Sequence, residues 1–297
     1  MLYRLLGSSD LRVSTIGFGC MSLKDEQEAT RVIHRAVEAG INFFDTADLY
    51  DRGMNEEWVG RILRGRREDV LLSTKVGNQW REDGSGWDWN PRKDYIIRAV
   101  EESLRRLQTD RIDLYQLHGG TFEDNIDETI EAFELLQQQG KIRYYGLSSI
   151  RPDVIREYVR RSKIVSVMMQ YSLLDRRPEE SCLELLKQRG IGVLARGVLG
   201  KGLLAGKAAA AYLGHGEDAV EKAAKMIRSI GGEQRNMADI AIGYVLGNPV
   251  VGSAVVGVRT EEQLAQILHG NAEVGLSDRE LGLLAETVMP NRYEMFR

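Results

Sequence analysis

Short apolar runs alternate with amphipathic stretches from one end of the chain to the other. After a segment that reads as a hairpin, YRLLGSSDLRVS with a Gly-Ser-Ser-Asp turn, eight runs have strand character. They are STIGFG, INFFDT, DVLLSTK, IDLYQLH, IRYYGLS, IVSVMMQ, GVLARG and SAVVG. Rich in Val, Ile and aromatics, they are short enough to be buried on both faces. Between them lie segments with apolar residues three and four apart. EATRVIHRAVEAG puts Val32, Ile33, Ala36 and Val37 on one helical face and stops at Gly40. NEEWVGRIL, DYIIRAVEESLRRLQ, IDETIEAFELLQQQG, PDVIREYVRRS, EESCLELLKQRG, MADIAIGYVLG and EEQLAQILHG read as the other helices.

Eight strand–helix units predict an α/β fold: a closed (β/α)8 TIM barrel with an N-terminal β-hairpin, one domain over residues 1–297. That length suits a barrel, whose usual size is about 250 residues. A doubly wound open sheet would carry G-x-G-x-x-G after its first strand, but Gly17-Phe18-Gly19 is followed by Ser22 where the third Gly belongs. A phosphate loop in KGLLAGKA fails as well, with Lys201 at its first position and Ala208 in place of the metal-binding hydroxyl.

Two segments are longer than connection requires. Residues 76–91 hold three of the four tryptophans, Trp80, Trp87 and Trp89, and residues 197–235 contain Gly197, Gly200, Gly202 and Gly206. Such segments are expected to be lids or binding elements. For the first, the plain alternative is a small folded excursion with its tryptophans packed inward. The functional reading makes them an aromatic-lined mouth that receives the substrate.

Barrels of this kind place their chemistry at the C-terminal rim of the strands. Polar residues there are Asp45 and Tyr50 after the second barrel strand, Lys75 after the third and His118 after the fourth. Ser148 and Ser149 follow the fifth, Gln170 the sixth, Arg196 the seventh, and Gly257 and Arg259 the eighth. Each alone has an ordinary explanation, such as a turn cap, a packed loop ring or a satisfied rim histidine. An ammonium closing a run as apolar as DVLLST must find a partner, and Asp45 on the adjacent strand is available. A structural salt bridge would account for Asp45 and Lys75 but leaves Tyr50 and His118 unassigned. Together the four favour a catalytic cluster.

A free phenol, with a pKa of about 10, is a poor acid near neutrality, and a neighbouring ammonium stabilises its phenolate. Asp45 would hold Lys75 charged, Tyr50 would deliver a proton, and His118 would donate to the same substrate oxygen. That arrangement suits protonation of a developing alkoxide during carbonyl reduction, with hydride from a bound cofactor.

Composition excludes more than it assigns. The chain is 43% hydrophobic and 28% charged, with a formal net charge of −4 and no long run of one sign. Nothing resembles a basic nucleic-acid face or a polybasic membrane anchor. Cys20 and Cys182 are too few for a disulfide framework, and no His, Cys or carboxylate spacing suits a metal. Without a signal-like or membrane-spanning apolar run, a soluble cytoplasmic protein is expected.

The residues resemble the aldo-keto reductases. GINFFDTADLYDRGMNE resembles that family's first motif, SLRRLQTDRIDLYQLH its second, and VLLSTKVG carries its lysine. KIRYYGLSS and VLARGVLGKGLLAGK resemble its later segments, and the likeness runs from Arg4 to about Asn271. The resemblance implies a barrel that binds NADPH without a dinucleotide-binding sheet and acts on a small-molecule carbonyl substrate, with Asp45, Tyr50, Lys75 and His118 as the catalytic tetrad. It places Ser148, Ser149 and Gln170 at the nicotinamide carboxamide. Gly197, Leu199 and Lys201 fall beside the pyrophosphate, and Gly257, Arg259 and Gln263 toward the adenosine phosphate. Three positions depart from the family pattern: Ser149 replaces Asn, Arg196 a stacking Tyr, and Gln266-Ile267 a Glu-Asn pair. Two other functions stand beside this one: a Schiff-base lyase using Lys75, which needs a lowered lysine pKa, and a cofactor-holding regulatory subunit of the sort the family also contains.

Overall fold

Alternation along a strand sends successive side chains to opposite faces, so a closed sheet sorts each strand into an interior and an exterior set. A computed structural model, describing residues 1–269 and 275–295, shows how this chain uses that rule. An antiparallel hairpin of β1 (Tyr3–Leu5) and β2 (Arg12–Ser14) precedes the barrel strand β3 (Ile16–Gly19). Then come β4 (Phe43–Asp45), β5 (Leu71–Val76), a second hairpin of β6 (Asn78–Trp80) and β7 (Trp87–Trp89), and β8 (Ile112–Leu117). The remaining strands are β9 (Ile142–Ser148), β10 (Ser166–Gln170), β11 (Gly192–Arg196) and β12 (Val251–Gly257). Strands β3, β4, β5, β8, β9, β10, β11 and β12 form a closed barrel in chain order, parallel throughout. This is the (β/α)8 barrel with its N-terminal hairpin.

Phe43, Leu114, Met168, Leu194 and Val255 share an interior cluster with Leu6, Leu11 and Val13 from the hairpin. The hairpin therefore plugs the N-terminal end of the barrel with apolar side chains, each contributing about 1.5–3 kcal/mol on full burial. Exterior residues such as Phe44, Leu72, Tyr115, Leu117 and Val193 pack under the helices in a second, larger cluster.

Those helices are α1 (Glu26–Glu38), α2 (Met54–Leu63), α3 (Lys93–Leu107), α4 (Ile126–Gln138), α5 (Pro152–Arg161), α6 (Cys182–Gln188), α7 (Glu217–Gly231), α8 (Met237–Leu246), α9 (Glu261–Leu268) and α10 (Asp278–Thr287). The apolar face expected for α1 is buried, with Val32, Ile33, Ala36 and Val37 joined by Ala29, and Asp25 caps it by accepting from the Glu28 amide. Among the described residues, no helix is long and apolar enough to cross a membrane.

Three features differ from the sequence pattern. The long segment 197–235 is not loop throughout, for it contains α7, whose buried face is Val220, Ala223, Ala224 and Ile227. Alanines make that face small, so its apolar period is faint. Helix α10 was likewise not anticipated. Residues 76–91 are a folded excursion, β6 and β7 pairing with Trp80 opposite Trp87 and Asn78 opposite Trp89. Gly270 and Asn271, at the edge of the anticipated last helix and of the family likeness, lie outside the described residues.

Candidate active site

The same period-two alternation that lines the interior with apolar side chains delivers polar ones to its C-terminal rim. Two residues past Phe43 stands Asp45, past Leu71 Ser73 and then Lys75, past Leu114 Gln116 and then His118, past Met168 Gln170, and past Leu194 Arg196. The β4–β5 register sets Asp45 opposite Ser73, and the β5–β8 register sets Lys75 opposite Gln116.

Lys75 is 1% exposed and Asp45 4%. Lys75 Nζ donates to Asp45 Oδ2 at 2.6 Å and to the Thr46 carbonyl at 2.7 Å. Asp45 Oδ1 accepts from Ser73 Oγ at 3.0 Å and from Gln116 Nε2 at 3.3 Å. Every group facing this carboxyl is a donor, which matches an ionised acceptor. Burial alone would push the Lys75 ammonium down, but Asp45 and Tyr50 outweigh it and raise the lysine above its ordinary value. Burial pushes the Asp45 carboxyl up, with Lys75 opposing that push.

Tyr50 begins a 3-10 turn (Tyr50–Gly53) beyond the strand. The intervening backbone is laid across β5, the Thr46 amide donating to the Ser73 carbonyl at 2.9 Å and the Asp48 amide to the Lys75 carbonyl at 3.2 Å. This brings the Tyr50 hydroxyl to 3.4 Å from Lys75 Nζ. Beneath the turn, Thr46 Oγ1 donates to Asn55 Oδ1, and Asn55 Nδ2 to the Cys20 carbonyl. Glu56, fully buried, accepts from Thr74 Oγ1 at 2.6 Å and from Arg106 Nε at 2.7 Å. The Asn-Glu pair after Tyr50 thus ties α2 to the barrel wall. Asp51 and Arg52 nevertheless have left-handed backbones, at φ 47° and 55°, a conformation costing a non-glycine residue about 1–2 kcal/mol.

His118 is held where β8 ends, its amide donating to the Val76 carbonyl at 2.7 Å. Its ring meets Tyr50 edge-on, with centroids 5.9 Å apart at 82°. Burial, with the nearby charges of Lys75 and Arg196, pushes the imidazole down to about 3. The ring is therefore neutral at ordinary pH and able to donate one N–H.

The remaining rim residues form an arc around this corner. Ser148, the last residue of β9, and Ser149 just beyond it are buried, the Ser149 amide donating to the Met168 carbonyl at 3.1 Å. Gln170 and Arg196 meet, Arg196 Nη1 donating to Gln170 Oε1 at 3.2 Å, and Gln170 Nε2 donates to Tyr212 OH at 3.2 Å. Gly197 crosses the Gln170 side chain so closely that a Cβ there would lie 3.1 Å from its Cγ. After it, Leu199 and Lys201 lie in a turn in which Gly200, Lys201, Gly202 and Gly206 all have positive φ. Gly257 ends β12 against Ser22, and Arg259 is exposed just before α9, its amide donating to Gln263 Oε1 at 2.9 Å. The arc offers polar rim side chains at one end, a glycine-rich backbone in the middle and a guanidinium at the other. An extended dinucleotide fits that donor set, and small residues leave it room to approach the backbone.

The three loop tryptophans have separate surroundings. Trp80 Nε1 donates to the Leu49 carbonyl at 3.2 Å, beside Tyr50. Trp87, 47% exposed, lies on the same hairpin. Trp89 donates to Asp124 Oδ1 at 2.9 Å and packs in a slot between Gly77 and Gly119, where an added Cβ would come to 2.6 and 3.1 Å from its ring.

Ser73, Gln116 and Tyr212 were not singled out from the sequence. Ser73 and Gln116 had a signal, each standing two residues before a rim residue and so on the same inward face. Tyr212 had none, because it reaches Gln170 from 42 residues away.

A closed barrel carrying a buried lysine–carboxylate pair beneath a phenol and a neutral imidazole has the layout of an oxidoreductase that works on carbonyl oxygen. The chain belongs to the aldo/keto reductase family, whose model matches residues 15–288. It is an NAD(P)H-dependent oxidoreductase of that family. It is 48% identical to an uncharacterized oxidoreductase, YqkF, of Bacillus subtilis (strain 168), each chain covered completely. Among solved structures it resembles the holo form of aldo-keto reductase AKR11C1 from Bacillus halodurans at a TM-score of 0.94 and 47% identity, covering 100% of this chain and 99% of that one. It also resembles the glycerol dehydrogenase AKR11B4 from Gluconobacter oxydans, with a TM-score of 0.87, 25% identity, and 98% and 97% covered.

Proposed function

We propose that the protein reduces aldehyde or ketone carbonyls to alcohols with NADPH, Tyr50 acting as the general acid. The observation that carries this reading is the Asp45–Lys75–Tyr50 chain, at 2.6 and 3.4 Å, beside a neutral His118. When bound, the dinucleotide supplies the hydride. The protein's own part is to orient the carbonyl oxygen between the Tyr50 hydroxyl and the His118 ring. As negative charge grows on that oxygen, the phenolic proton passes to it, and the Lys75 ammonium stabilises the charge left on Tyr50. Asp45, bonded by Ser73 and Gln116, keeps Lys75 charged and stationary.

Ser148, Ser149, Gln170 and Arg196 would hold the nicotinamide end, Gly197, Leu199 and Lys201 the pyrophosphate, and Gly257, Arg259 and Gln263 the adenosine end. Arg259 supports NADPH over NADH through a charge-assisted contact to a 2′-phosphate. Trp80, from the hairpin beside Tyr50, would flank the substrate, with Trp87 at the outer edge. Trp89, committed to Asp124 and the glycine slot, supports that wall from behind. A Schiff-base role for Lys75 has the opposite electrostatics, since it needs a neutral amine and Asp45 favours the ammonium.

The test is NADPH consumption against a panel of aldehydes, ketones and sugars, with NADH in parallel. Tyr50→Phe should lower turnover by about 10²–10⁴-fold, the usual range for losing a general acid, while NADPH still binds. Normal turnover by that variant would sink the assignment.

A further inference from the structure

The phenol of Tyr50 is weakly held by its own contacts. Its hydroxyl lies 3.4 Å from Lys75 Nζ, at the long end of hydrogen bonding, whereas the Lys75–Asp45 contact is 2.6 Å. Its ring also meets His118 edge-on and has its centroid 5.0 Å from Lys75 Nζ, but the backbone that carries it is what brings it there, and that backbone is unusual. Asp51 (φ 47°, ψ 39°), Arg52 (φ 55°, ψ 40°) and Gly53 (φ 86°, ψ −11°) follow Tyr50 as three consecutive left-handed residues. Glycine adopts this conformation freely, and aspartate tolerates it through its short polar side chain. Arginine has neither property, so the surrounding structure holds it there, and interactions of the Arg52 side chain supply part of that hold.

Those interactions all go to the β6–β7 hairpin. The Arg52 guanidinium carbon sits 5.0 Å from the centroid of the Trp80 ring. Arg52 Nη2 donates to the Gly84 carbonyl at the hairpin tip, at 3.0 Å. On the other side of Tyr50, Trp80 Nε1 donates to the Leu49 carbonyl at 3.2 Å. One tryptophan thus grips the chain immediately before the phenol and, through Arg52, two residues after it. The hairpin is itself braced, by a bidentate Arg81–Asp88 pair across its strands and by Asn90 Nδ2 donating to Gln79 Oε1 at 2.7 Å.

We propose that Arg52 and Trp80 are positioning residues for the reaction. They latch the Tyr50 turn to the hairpin, so that the phenol stays over Lys75 and beside His118. The inference rests on the reading of Tyr50 as proton donor. It gives an exposed surface arginine a kinetic role and makes the hairpin a brace for the acid as well as a wall of the mouth.

The test uses the full-length protein and the best carbonyl substrate from the panel. Arg52→Gly, Trp80→Phe and Arg52→Lys are compared with Tyr50→Phe and with Glu82→Ala, an exposed hairpin position outside both the latch and the mouth. Arg52→Gly cuts the latch while relieving the left-handed strain, and thermal unfolding measured alongside separates loss of the latch from loss of fold. Trp80→Phe keeps a ring under the guanidinium but loses the N–H. Both should lower kcat by roughly 5–20-fold, because small displacements of a catalytic group are costly. Thermal stability and NADPH affinity, read by fluorescence titration, should stay near wild type. The solvent deuterium isotope effect on kcat should rise, because proton delivery becomes slower. Arg52→Lys should recover part of the loss, and Glu82→Ala should show neither change. Wild-type kcat and isotope effect in Arg52→Gly and Trp80→Phe, with Tyr50→Phe inactive, would overturn the latch and leave the proton donor in place. A loss that tracks weakened NADPH binding or lowered stability would overturn it too, assigning a purely structural role. An active Tyr50→Phe would overturn the reading beneath both.

Discussion

The corner where β4 and β5 end and the arc from β11 to α9 occupy one rim but are built in opposite ways. In the corner, Lys75 and Asp45 are almost wholly covered, and both carboxylate oxygens of Asp45 accept from buried donors. Along the arc, Lys201 and Arg259 are exposed, glycines with positive φ carry the backbone, and neighbouring contacts such as Arg259 to Gln263 are local. The difference teaches where rigidity is useful. Charges that must act on a transient oxyanion are most effective when fixed in advance in a low-dielectric site. A surface that takes up a long, charged ligand needs instead a backbone the ligand can approach closely, which glycine allows because it carries no Cβ.

Breaking the corner should have the largest effect. Lys75→Met leaves Asp45 buried without its cation, so the fold should lose about 3–5 kcal/mol. Activity should fall at least as far as in Tyr50→Phe, whose stability should be unchanged. Thermal unfolding alongside turnover separates the two, and equal stability of both variants would refute the claim that the buried Lys75–Asp45 pair is fixed in advance. Breaking the arc should be milder and confined to binding. Arg259→Ala would remove the charge-assisted contact proposed for a 2′-phosphate, of about 1.5–3 kcal/mol. The NADPH dissociation constant should therefore rise roughly 10–100-fold, with NADH affinity and saturated kcat unchanged. Equal weakening of both cofactors would place the 2′-phosphate elsewhere.

A third test is of pH. Burial lowers His118 from 6.5 to about 3 in the fold. As pH falls, the unfolded chain therefore takes up this proton first. The contribution to stability is complete above about 6.5 and is lost progressively as pH falls toward 3. The His118 ring followed by NMR should stay neutral through the range in which an exposed histidine titrates. His118→Asn should flatten the acid limb of a stability–pH profile. A ring that titrates near 6.5 would show that the corner is wetter than its burial indicates.

Much of this molecule was legible before any coordinates. The eight barrel strands, the N-terminal hairpin and the buried face and C-terminal stop of α1 follow from apolar period and turn chemistry, which act over a few residues and leave a local trace. Asp45, Lys75 and His118 stood out because each closes an apolar strand with a polar group. Helix α7 was harder to read because alanines make its buried face faint. Trp89 looked like the other two loop tryptophans, and nothing nearby in sequence reveals the Gly77–Gly119 slot or the Asp124 carboxylate that claim it.

The sequence by itself determined the parts, which are short strands apolar on both faces, most of them ending in polar rim residues, alternating with helices in the order a barrel needs. Tertiary structure alone decided how those rim residues meet. The 2.6 Å contact of Lys75 with Asp45 follows from barrel register, and the seat of Tyr50 above it from a left-handed turn gripped by a hairpin some thirty residues away. Register and through-space contacts depend on closure of the whole barrel, and no short stretch of chain contains that information.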